Sequence, residues 1–238
     1  MSTYVYGIAR GSHPSLPEQM GGVGNPPQLV RTIRTGELTA LVSEAPEDLR
    51  PKRRELLAHQ SVLAEAGEGG AVLPMRFGSI SADDEAVRTV LGEREKHYLE
   101  RLDALDNKVE YNVKASHDEE AVLHQILAED SELRALNETN RAAGGGTYEQ
   151  KLRLGERVVA AMQQRERRDG ELVRQALEGA AGGVSPGPDS TGWLANVSFL
   201  VDRDHCAPFV EAVEALCKEQ PHLVLQVNGP LPPYSFVE

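Results

Sequence analysis

The amino-acid sequence predicts an α+β protein of two domains, spanning residues 1–105 and residues 106–238. Runs of β-branched and aromatic residues alternate with stretches of helical periodicity in both halves, as in mixed folds. A length of 238 residues with 40% hydrophobic content is enough for each of two domains to bury a core of its own. The second domain is expected to open with the strand-like segment KVEYNVKAS (108–116).

The first domain is predicted to begin with a strand and a hairpin. The segment TYVYGIAR (3–10) is rich in aromatic and β-branched residues, and a loop rich in glycine and proline follows it. Residues 29–46 carry Thr35 and Gly36 between two runs of alternating apolar residues, which is typical of a β-hairpin.

The rest of the first domain is predicted to form a helix, a strand and further helix. Pro51 suits the first turn of a helix, whose buried stripe is supplied by Leu56, Leu57, Val62 and Leu63. The segment AVLPMRFGSI (71–80) is expected to be a strand, and residues 83–105 are expected to be helical.

An antiparallel helical hairpin is predicted over residues 118–179. Asp118 can cap its first helix, and the glycines at 144–146 end that helix. Thr147 and Gln150 form a capping box that starts a long second helix. The near-heptad stripe of this helix contains Tyr148, Leu152, Gly155, Val159, Met162, Glu166, Asp169, Val173 and Ala176. The mixed charges of its middle, RERRDGE, are expected to face water or the ends of the partner helix.

The remaining elements of the second domain are strands around one helix. WLANVSFLVDRD (193–204) alternates as a strand does, residues 205–219 have helical periodicity, and HLVLQVNG (222–229) is the last strand. The turn-rich GGVSPGPDSTG (182–192) leaves room for a short strand near Val184. This order is that of a ferredoxin-like unit with an inserted helical hairpin, which leaves one sheet face available. A ferredoxin-like α+β unit is also the prediction for the first domain.

The charge of the chain argues against several partners. Thirty-seven acidic residues against 25 basic residues give a net charge of −12, which repels nucleic-acid phosphates and anionic lipid. The sequence shows neither a signal-peptide pattern nor about 18 consecutive apolar residues. We therefore expect a cytoplasmic protein that binds neither nucleic acid nor membrane.

The sequence contains no recognisable enzyme motif, and we predict no catalysis, no cofactor and no metal. The two cysteines lie about 16 Å apart on one predicted helix, too far for a disulfide. That distance also weakens a zinc site assembled from His205, Cys206, Cys217 and His222. The glycines at 144–146 lack the adjacent lysine and hydroxyl of a phosphate-binding loop, and the spacing in HDEE (117–120) is typical of surface residues.

The segment LPMRFGSI (73–80) supplies the first candidate interaction residues. Strand alternation places Leu73, Met75 and Phe77 on one face, opposite Val72, Arg76 and Ile80. An arginine among apolar neighbours needs a carboxylate or carbonyl partner if its face is covered, and Glu110 is a candidate. We predict an interdomain or partner-binding role for Arg76, Phe77, Gly78 and Glu110.

The last ten residues, GPLPPYSFVE (229–238), supply the second candidate site. Their prolines hold the segment extended, so Tyr234 and Phe236 can lie at fixed positions along a sheet, in an interdomain groove or on a partner. We favour the intramolecular position, because the last strand leads straight into the tail and two small domains need a fixed relative orientation.

The chain contains, in this order, VLPMRFGSI, KVEYNVKAS, YEQKLRLGE, WLANVSFLVDR and the terminal GPLPPYSFVE. In order and approximate spacing these segments resemble the gas vesicle protein L/F family (GvpL/GvpF). The resemblance extends over essentially the whole chain, from YVYGI to the tail.

The resemblance implies a non-enzymatic accessory protein of gas vesicle formation. Such a protein is expected to associate with the small hydrophobic shell subunit and with other accessory proteins, during assembly or nucleation. A partner with an open sheet face could cover the apolar surface of that subunit by strand addition or apolar docking. The alternative is a small-ligand sensor or an enzyme built on tandem ferredoxin-like units, since this fold hosts many functions.

Overall fold

The computed structural model describes residues 2–188 and 192–237. Residues 189–191 of the predicted turn 182–192 therefore lie outside the described residues. Contacts divide the chain into two compact units, the first made of Met1–Tyr111, Leu200–Asp204 and Gly229–Glu238, the second of Asn112–Phe199 and His205–Asn228. This division groups the tail with the first unit, and the domain boundary at residue 105 stays a prediction.

The elements of the first half are five strands and three helices among the described residues. The strands are β1 (Thr3–Arg10), β2 (Arg31–Thr35), β3 (Leu38–Glu44), β4 (Val72–Pro74) and β5 (Ile80–Ser81). The helices are α1 (Arg53–Gly69), α2 (Asp84–Glu93) and α3 (Glu95–Ala104). The predicted first strand, hairpin and first helix are present. The helix begins at Arg53, after Pro51, and of its predicted buried stripe Val62 and Leu63 are buried whereas Leu56 and Leu57 are exposed.

The second half supplies the other strands and helices. The strands are β6 (Lys108–His117), β7 (Gly183–Pro186), β8 (Ala195–Asp202) and β9 (Leu223–Leu231). The helices are α4 (Glu119–Glu129), α5 (Ser131–Ala142), α6 (Tyr148–Glu178) and α7 (Cys206–Glu219). None of the described helices combines the length and the apolar character needed to cross a membrane. Cys206 and Cys217, both described, are not joined in a disulfide.

The sheet of the first unit is antiparallel, with the strand order β2-β3-β1-β4. Thr3 of β1 pairs with Glu44 of β3 and with Ser81 of β5. Because a strand has only two edges, β5 lies on the same side of β1 as β4, and the two short strands together form one edge of the sheet. A bulge between Val5 and Gly7 shifts the register of β1, which changes the residues that face each side.

The sheet of the second half has the order β7-β8-β6-β9. Phe199 of β8 packs on Phe209 of α7, with ring centroids 5.5 Å apart, so α7 covers part of this sheet. In the helical hairpin, Leu154, Val158, Ala161 and Met162 of α6 pack against a buried cluster of Val122, Ile126 and Leu133.

The caps of the hairpin form as predicted. Asp118 accepts a hydrogen bond from the backbone N–H of Ala121, and Thr147 and Gln150 make both bonds of the capping box. Gly144, Gly145 and Gly146 all have positive φ, the conformation that lets the chain reverse between α5 and α6.

Three continuous elements were predicted where the structure has interruptions. The predicted strand 71–80 ends at Pro74 and resumes only at Ile80. The helix predicted over 83–105 is divided at Arg94, whose φ and ψ of −117° and 18° are not helical. The first hairpin helix is divided at Asp130, where extended backbone and a side chain that accepts from Leu133 N–H start α5.

The predicted stripe of α6 is only partly buried. Val173 is buried, whereas Tyr148, Leu152 and Val159 are exposed. In the charged middle of the helix, Arg165 and Asp169 are buried, although these charges were expected to face water or the ends of the partner helix. The reason is that side chains on neighbouring elements of the second unit pair with both charges, as described below.

Candidate functional site

The turn between β4 and β5 contains three of the predicted site residues, Arg76, Phe77 and Gly78. The side chain and backbone N–H of Ser79 both donate to the carbonyl of Arg76, at 2.7 and 3.1 Å. Gly78 has a φ of 90°, which a side chain would disfavour. Its N–H donates to the hydroxyl of Tyr4 at 3.2 Å. The turn is therefore stabilised by hydrogen bonds within it and by a hydrogen bond to Tyr4 of β1.

This turn overturns the predicted faces of the segment. Met75 packs on the cluster that contains Leu73, whereas Phe77 packs on the cluster that contains Val72. The alternation fails because the extended backbone ends at Pro74 and a turn follows. Arg76 is exposed rather than surrounded by apolar side chains.

An aromatic cluster holds Phe77 from inside, with His59 of α1 at its centre. The ring of His59 lies near four others, with centroid distances of 5.8 Å to Tyr4, 5.6 Å to Tyr6, 5.9 Å to Phe77 and 6.5 Å to Tyr234. The cluster therefore joins the predicted turn residue Phe77 to the predicted tail residue Tyr234. Burial raises the pKa of Tyr234 to about 12, because the charged phenolate is disfavoured there.

The hydrogen bonds of His59 define its protonation. Its Nε2 lies 3.1 Å from the carbonyl of Met75, which can only accept, so Nε2 carries a proton. Its Nδ1 lies 2.9 Å from the hydroxyl of Tyr4, which donates to it. Burial lowers the pKa of His59, and the neutral ring is the form that these partners fit. One chain of hydrogen bonds thus runs from the Gly78 N–H through the Tyr4 hydroxyl and the His59 ring to the Met75 carbonyl.

His59 was not among the site residues predicted from the sequence. A signal was nevertheless present, because Glu55, His59, Val62 and Ala66 follow one another at helical spacing and all four are buried. A histidine on the buried stripe of a helix needs polar partners for its ring nitrogens, and only the fold identifies them.

The tail is anchored within the first unit by hydrogen bonds as well as by packing. Glu110 is buried, and its carboxylate accepts from the backbone N–H of Ser235 and from the Ser235 hydroxyl, both at 2.8 Å. The guanidinium of Arg101 donates to the carbonyl of Phe236, whose ring packs on the cluster of Leu73, Val87 and Leu91. The predicted pairing of Arg76 with Glu110 stays a prediction.

An apolar cavity of about 360 Å³ lies next to the turn in the first unit. Its lining includes Val5, Met75, Ile80, Val87, Val90 and Leu91. Ile80 and Val90 are 51% and 45% exposed, so part of the lining already faces water. Because Ile80 belongs to the edge formed by β4 and β5, the cavity adjoins a sheet edge.

A buried ionic cluster lies in the second unit, and the sequence analysis did not predict it. His117 Nε2 and His222 Nε2 lie 2.9 and 2.8 Å from Asp169 Oδ2. Arg165 Nε donates to the same carboxylate at 2.9 Å, and its Nη1 pairs with Glu129 at 3.0 Å. The spacing of α6 was a signal, because it placed Asp169 four residues before Val173, on the same helix face as that buried residue.

The two histidines and Asp169 are donor types that bind transition metals, and their donor atoms lie within 4.8 Å of one another. The guanidinium of Arg165 already balances the charge of Asp169. This pairing and the hydrogen bonds lower the pKa of Asp169 despite its burial. Asp169 is thus held by Arg165, His117 and His222, while His222 Nδ1 is buried without a hydrogen-bond partner among the described residues.

Comparisons with known proteins agree in family and fold. A family model described as "Gas vesicle synthesis protein GvpL/GvpF" matches residues 2–238. The chain is 72% identical over 238 residues to "Gas vesicle protein F" of Streptomyces sp. (strain CB03234), covering 100% of both chains. It is 26% identical over 254 residues to "Gas vesicle protein L" of the same strain, covering 98% of this chain and 91% of that protein.

Two crystal structures share the fold. The structure of GvpF from Anabaena sp. PCC7120 matches with a TM-score of 0.77 at 24% identity, covering 100% of this chain and 98% of the other. The structure of GvpF from Microcystis aeruginosa matches with a TM-score of 0.74 at 23% identity, covering 100% and 99%. The mixed α/β architecture described above is therefore that of known structures.

Proposed function

The chain belongs to the gas vesicle synthesis protein GvpL/GvpF family, and from this premise we propose that it is a non-enzymatic accessory protein that binds the hydrophobic shell subunit. Binding takes place in the cytoplasm during assembly or nucleation of the vesicle, together with other gas vesicle accessory proteins. The chain keeps apolar segments of the subunit covered until they enter the wall. The ordered turn beside the apolar cavity serves as the docking site.

The observation that carries this proposal is the apolar cavity beside the edge formed by β4 and β5. A shell subunit must expose apolar side chains and strand edges before it polymerises, and both features invite aggregation. A sheet edge can pair with an extended segment of a partner, while an adjoining cavity takes one of its side chains. The cavity and the edge together match those two needs.

The other residues of the candidate site support the docking surface by fixing the turn and the tail. Phe77 and Gly78 keep the turn in shape through their contacts with Tyr4 and His59. Tyr234 and Phe236 fix the tail by packing, and Glu110 binds Ser235, the residue between them. Arg76, which is exposed in the same turn, is the residue of this set that we assign to direct contact with the partner.

The test is co-purification of tagged protein with the shell subunit from cells that express both. Val90→Glu and Ile80→Glu place a carboxylate at the mouth of the cavity, and both are expected to reduce the retained subunit strongly. The matched control is Leu57→Glu, which changes a similarly exposed leucine on α1. Circular dichroism of each variant establishes that it is folded.

Two results would contradict the proposal. If wild-type protein retains no shell subunit even when other gas vesicle proteins are present, the binding function is wrong. If wild type and all three variants retain it equally, the function stands and the cavity is not the docking site. Arg76→Ala in the same assay tests the exposed arginine separately.

We also propose that the second half is a ferredoxin-like unit in its finer topology. Its elements follow the order β6, the helices α4 to α6, β7, β8, α7 and β9. With the strand order β7-β8-β6-β9, this is the arrangement of a split βαβ pair. The order β2-β3-β1-β4 supports a related arrangement for the first unit, in which the loop before β2 takes the place of the first helix.

A further inference from the structure

The N-terminal half of α6 carries an apolar stripe on its exposed face. Tyr148, Leu152 and Val159 are 83%, 51% and 56% exposed. Together with Gly155 they follow a spacing of four, three and four residues, which is the heptad spacing of a coiled-coil seam. The helix packs on α4 and α5 through a different set of residues, Leu154, Val158, Ala161 and Met162. The packing of the hairpin therefore does not explain the exposed stripe.

Gly155, in the middle of this stripe, leaves room for another helix to come close to this face. Glycine is less favourable than alanine inside a helix, so a glycine at this position is expected to have a structural role. A Cβ built on Gly155 meets no atom within 4 Å in the described part of the chain, and its φ is not in the left-handed region. Neither close packing within the chain nor backbone conformation requires it. A glycine in a seam has no Cβ and so allows the backbone of a partner helix to come close.

The charges that border the stripe indicate what the partner is. In heptad terms Leu152 and Val159 occupy a positions, so Lys151 lies at g on one border, and Glu149 and Glu156 lie at e on the other. A parallel second copy places Lys151 of each chain next to Glu156 of its partner, because g of one heptad faces e of the next. An antiparallel copy would instead place the glutamates against each other. Only the parallel arrangement pairs opposite charges.

We propose that the exposed stripe of α6 pairs in parallel with the same stripe of a second copy of this chain. Each copy inserts Leu152 and Val159 into the seam, the two Gly155 residues bring the backbones close, and Lys151 pairs with Glu156 of the partner. A seam of about two heptads is at the small end of specific interfaces, so the dimer is weak and forms at high local concentration. This pairing does not depend on the proposed binding of the shell subunit.

Sedimentation equilibrium of the full chain over a range of protein concentrations tests the pairing. Wild type is expected to show a monomer–dimer equilibrium. Val159→Glu and Leu152→Glu each place charges in the seam and are expected to raise the dissociation constant at least about tenfold. Val224→Glu, at an exposed valine of β9, is the control that leaves it unchanged.

A charge exchange tests the parallel register itself. Lys151→Glu alone and Glu156→Lys alone each create like-charge contacts and are expected to weaken the dimer, whereas the double variant restores it. A monomer at all concentrations overturns the proposal. The proposal is also overturned if Val159→Glu leaves the dissociation constant unchanged. It is overturned as well if the double variant dimerises no more tightly than the single charge variants. If wild type is monomeric and retains the shell subunit, and Val159→Glu does not retain it, the stripe binds that subunit and not a second copy.

Discussion

Both carboxylate oxygens of Glu110 accept hydrogen bonds from Ser235, one from its backbone N–H and the other from its hydroxyl, each at 2.8 Å. The two residues are 125 positions apart, so this contact closes a long loop of the chain. The carboxylate is buried, and the tail that it holds packs Phe236 and Val237 on the core of the first unit. The end of the chain is therefore part of a folded core.

Replacing Glu110 with alanine is expected to destabilise the protein by about 1–3 kcal/mol. The change removes two hydrogen bonds that the buried carboxylate accepts from Ser235, and the loss of hydrogen bonds to a charged group costs about that much. Urea unfolding measures the loss, and Glu37→Ala on the exposed hairpin turn is the control. Equal midpoints for Glu110→Ala and wild type would show that the tail contact contributes no stability.

Deleting residues 230–238 is expected to lower the thermal midpoint by several degrees, because it exposes the apolar surface under Tyr234 and Phe236. The measurement is a thermal melt followed by circular dichroism. An unchanged midpoint combined with lost retention of the shell subunit would instead make the tail a partner-binding motif.

His59 is expected to make stability depend on pH below neutrality. Burial lowers its pKa in the folded state from the ordinary 6.5, so the unfolded chain takes up this proton first as the pH falls. Stability from this group is complete above the unfolded pKa and is lost as the pH drops from there toward the lowered folded pKa. His59→Gln keeps a donor for the Met75 carbonyl but does not titrate. Urea midpoints at about pH 7.5 and about pH 5.5 should differ more in wild type than in His59→Gln, and equal differences would contradict the prediction.

The sequence predicted those elements that depend on local signals. The capping box of Thr147 and Gln150, the cap at Asp118 and the hairpin around Gly36 involve residues only a few positions apart, whose side-chain chemistry acts through the nearby backbone. These features formed as predicted. The tail residues Tyr234 and Phe236 were also expected to pack within the chain, because the last strand leads straight into the tail. Both side chains do pack on buried clusters, but Tyr234–Phe236 forms a 3-10 turn and not the extended backbone that was predicted.

The interruptions and the buried polar groups could not be predicted in the same way. The end of β4 at Pro74 is accompanied by the bond from Gly78 to Tyr4, a residue 74 positions away. Asp169 is buried because His117 and His222 come from distant parts of the chain. A periodic pattern places such a residue on a face, but it does not identify the groups that neutralise its charge.

Replacing Asp169 with alanine is expected to cost about 3 kcal/mol, since it removes the carboxylate shared by Arg165, His117 and His222 and leaves the buried Arg165 paired with Glu129 alone. The same helix offers a matched control, because Arg174 and Glu178 form an exposed pair at the same four-residue spacing. Glu178→Ala is expected to leave the urea midpoint nearly unchanged. Equal losses for Asp169→Ala and Glu178→Ala would show that burial of the cluster adds nothing to its stability.

Two glycine-to-alanine substitutions are expected to have opposite signs, because they differ in backbone conformation and not in available space. A Cβ on Gly78 or on Gly155 meets no described atom within 4 Å. Gly78 has a φ of 90°, so alanine there is strained and should destabilise the protein by about 1–2 kcal/mol. Gly155 lies inside α6, where alanine should stabilise it by about 0.5–1 kcal/mol. Urea unfolding at low protein concentration, where a weak dimer is dissociated, measures both. Destabilisation by Gly155→Ala under these conditions would mean that α6 packs more closely on its neighbours than the structure shows.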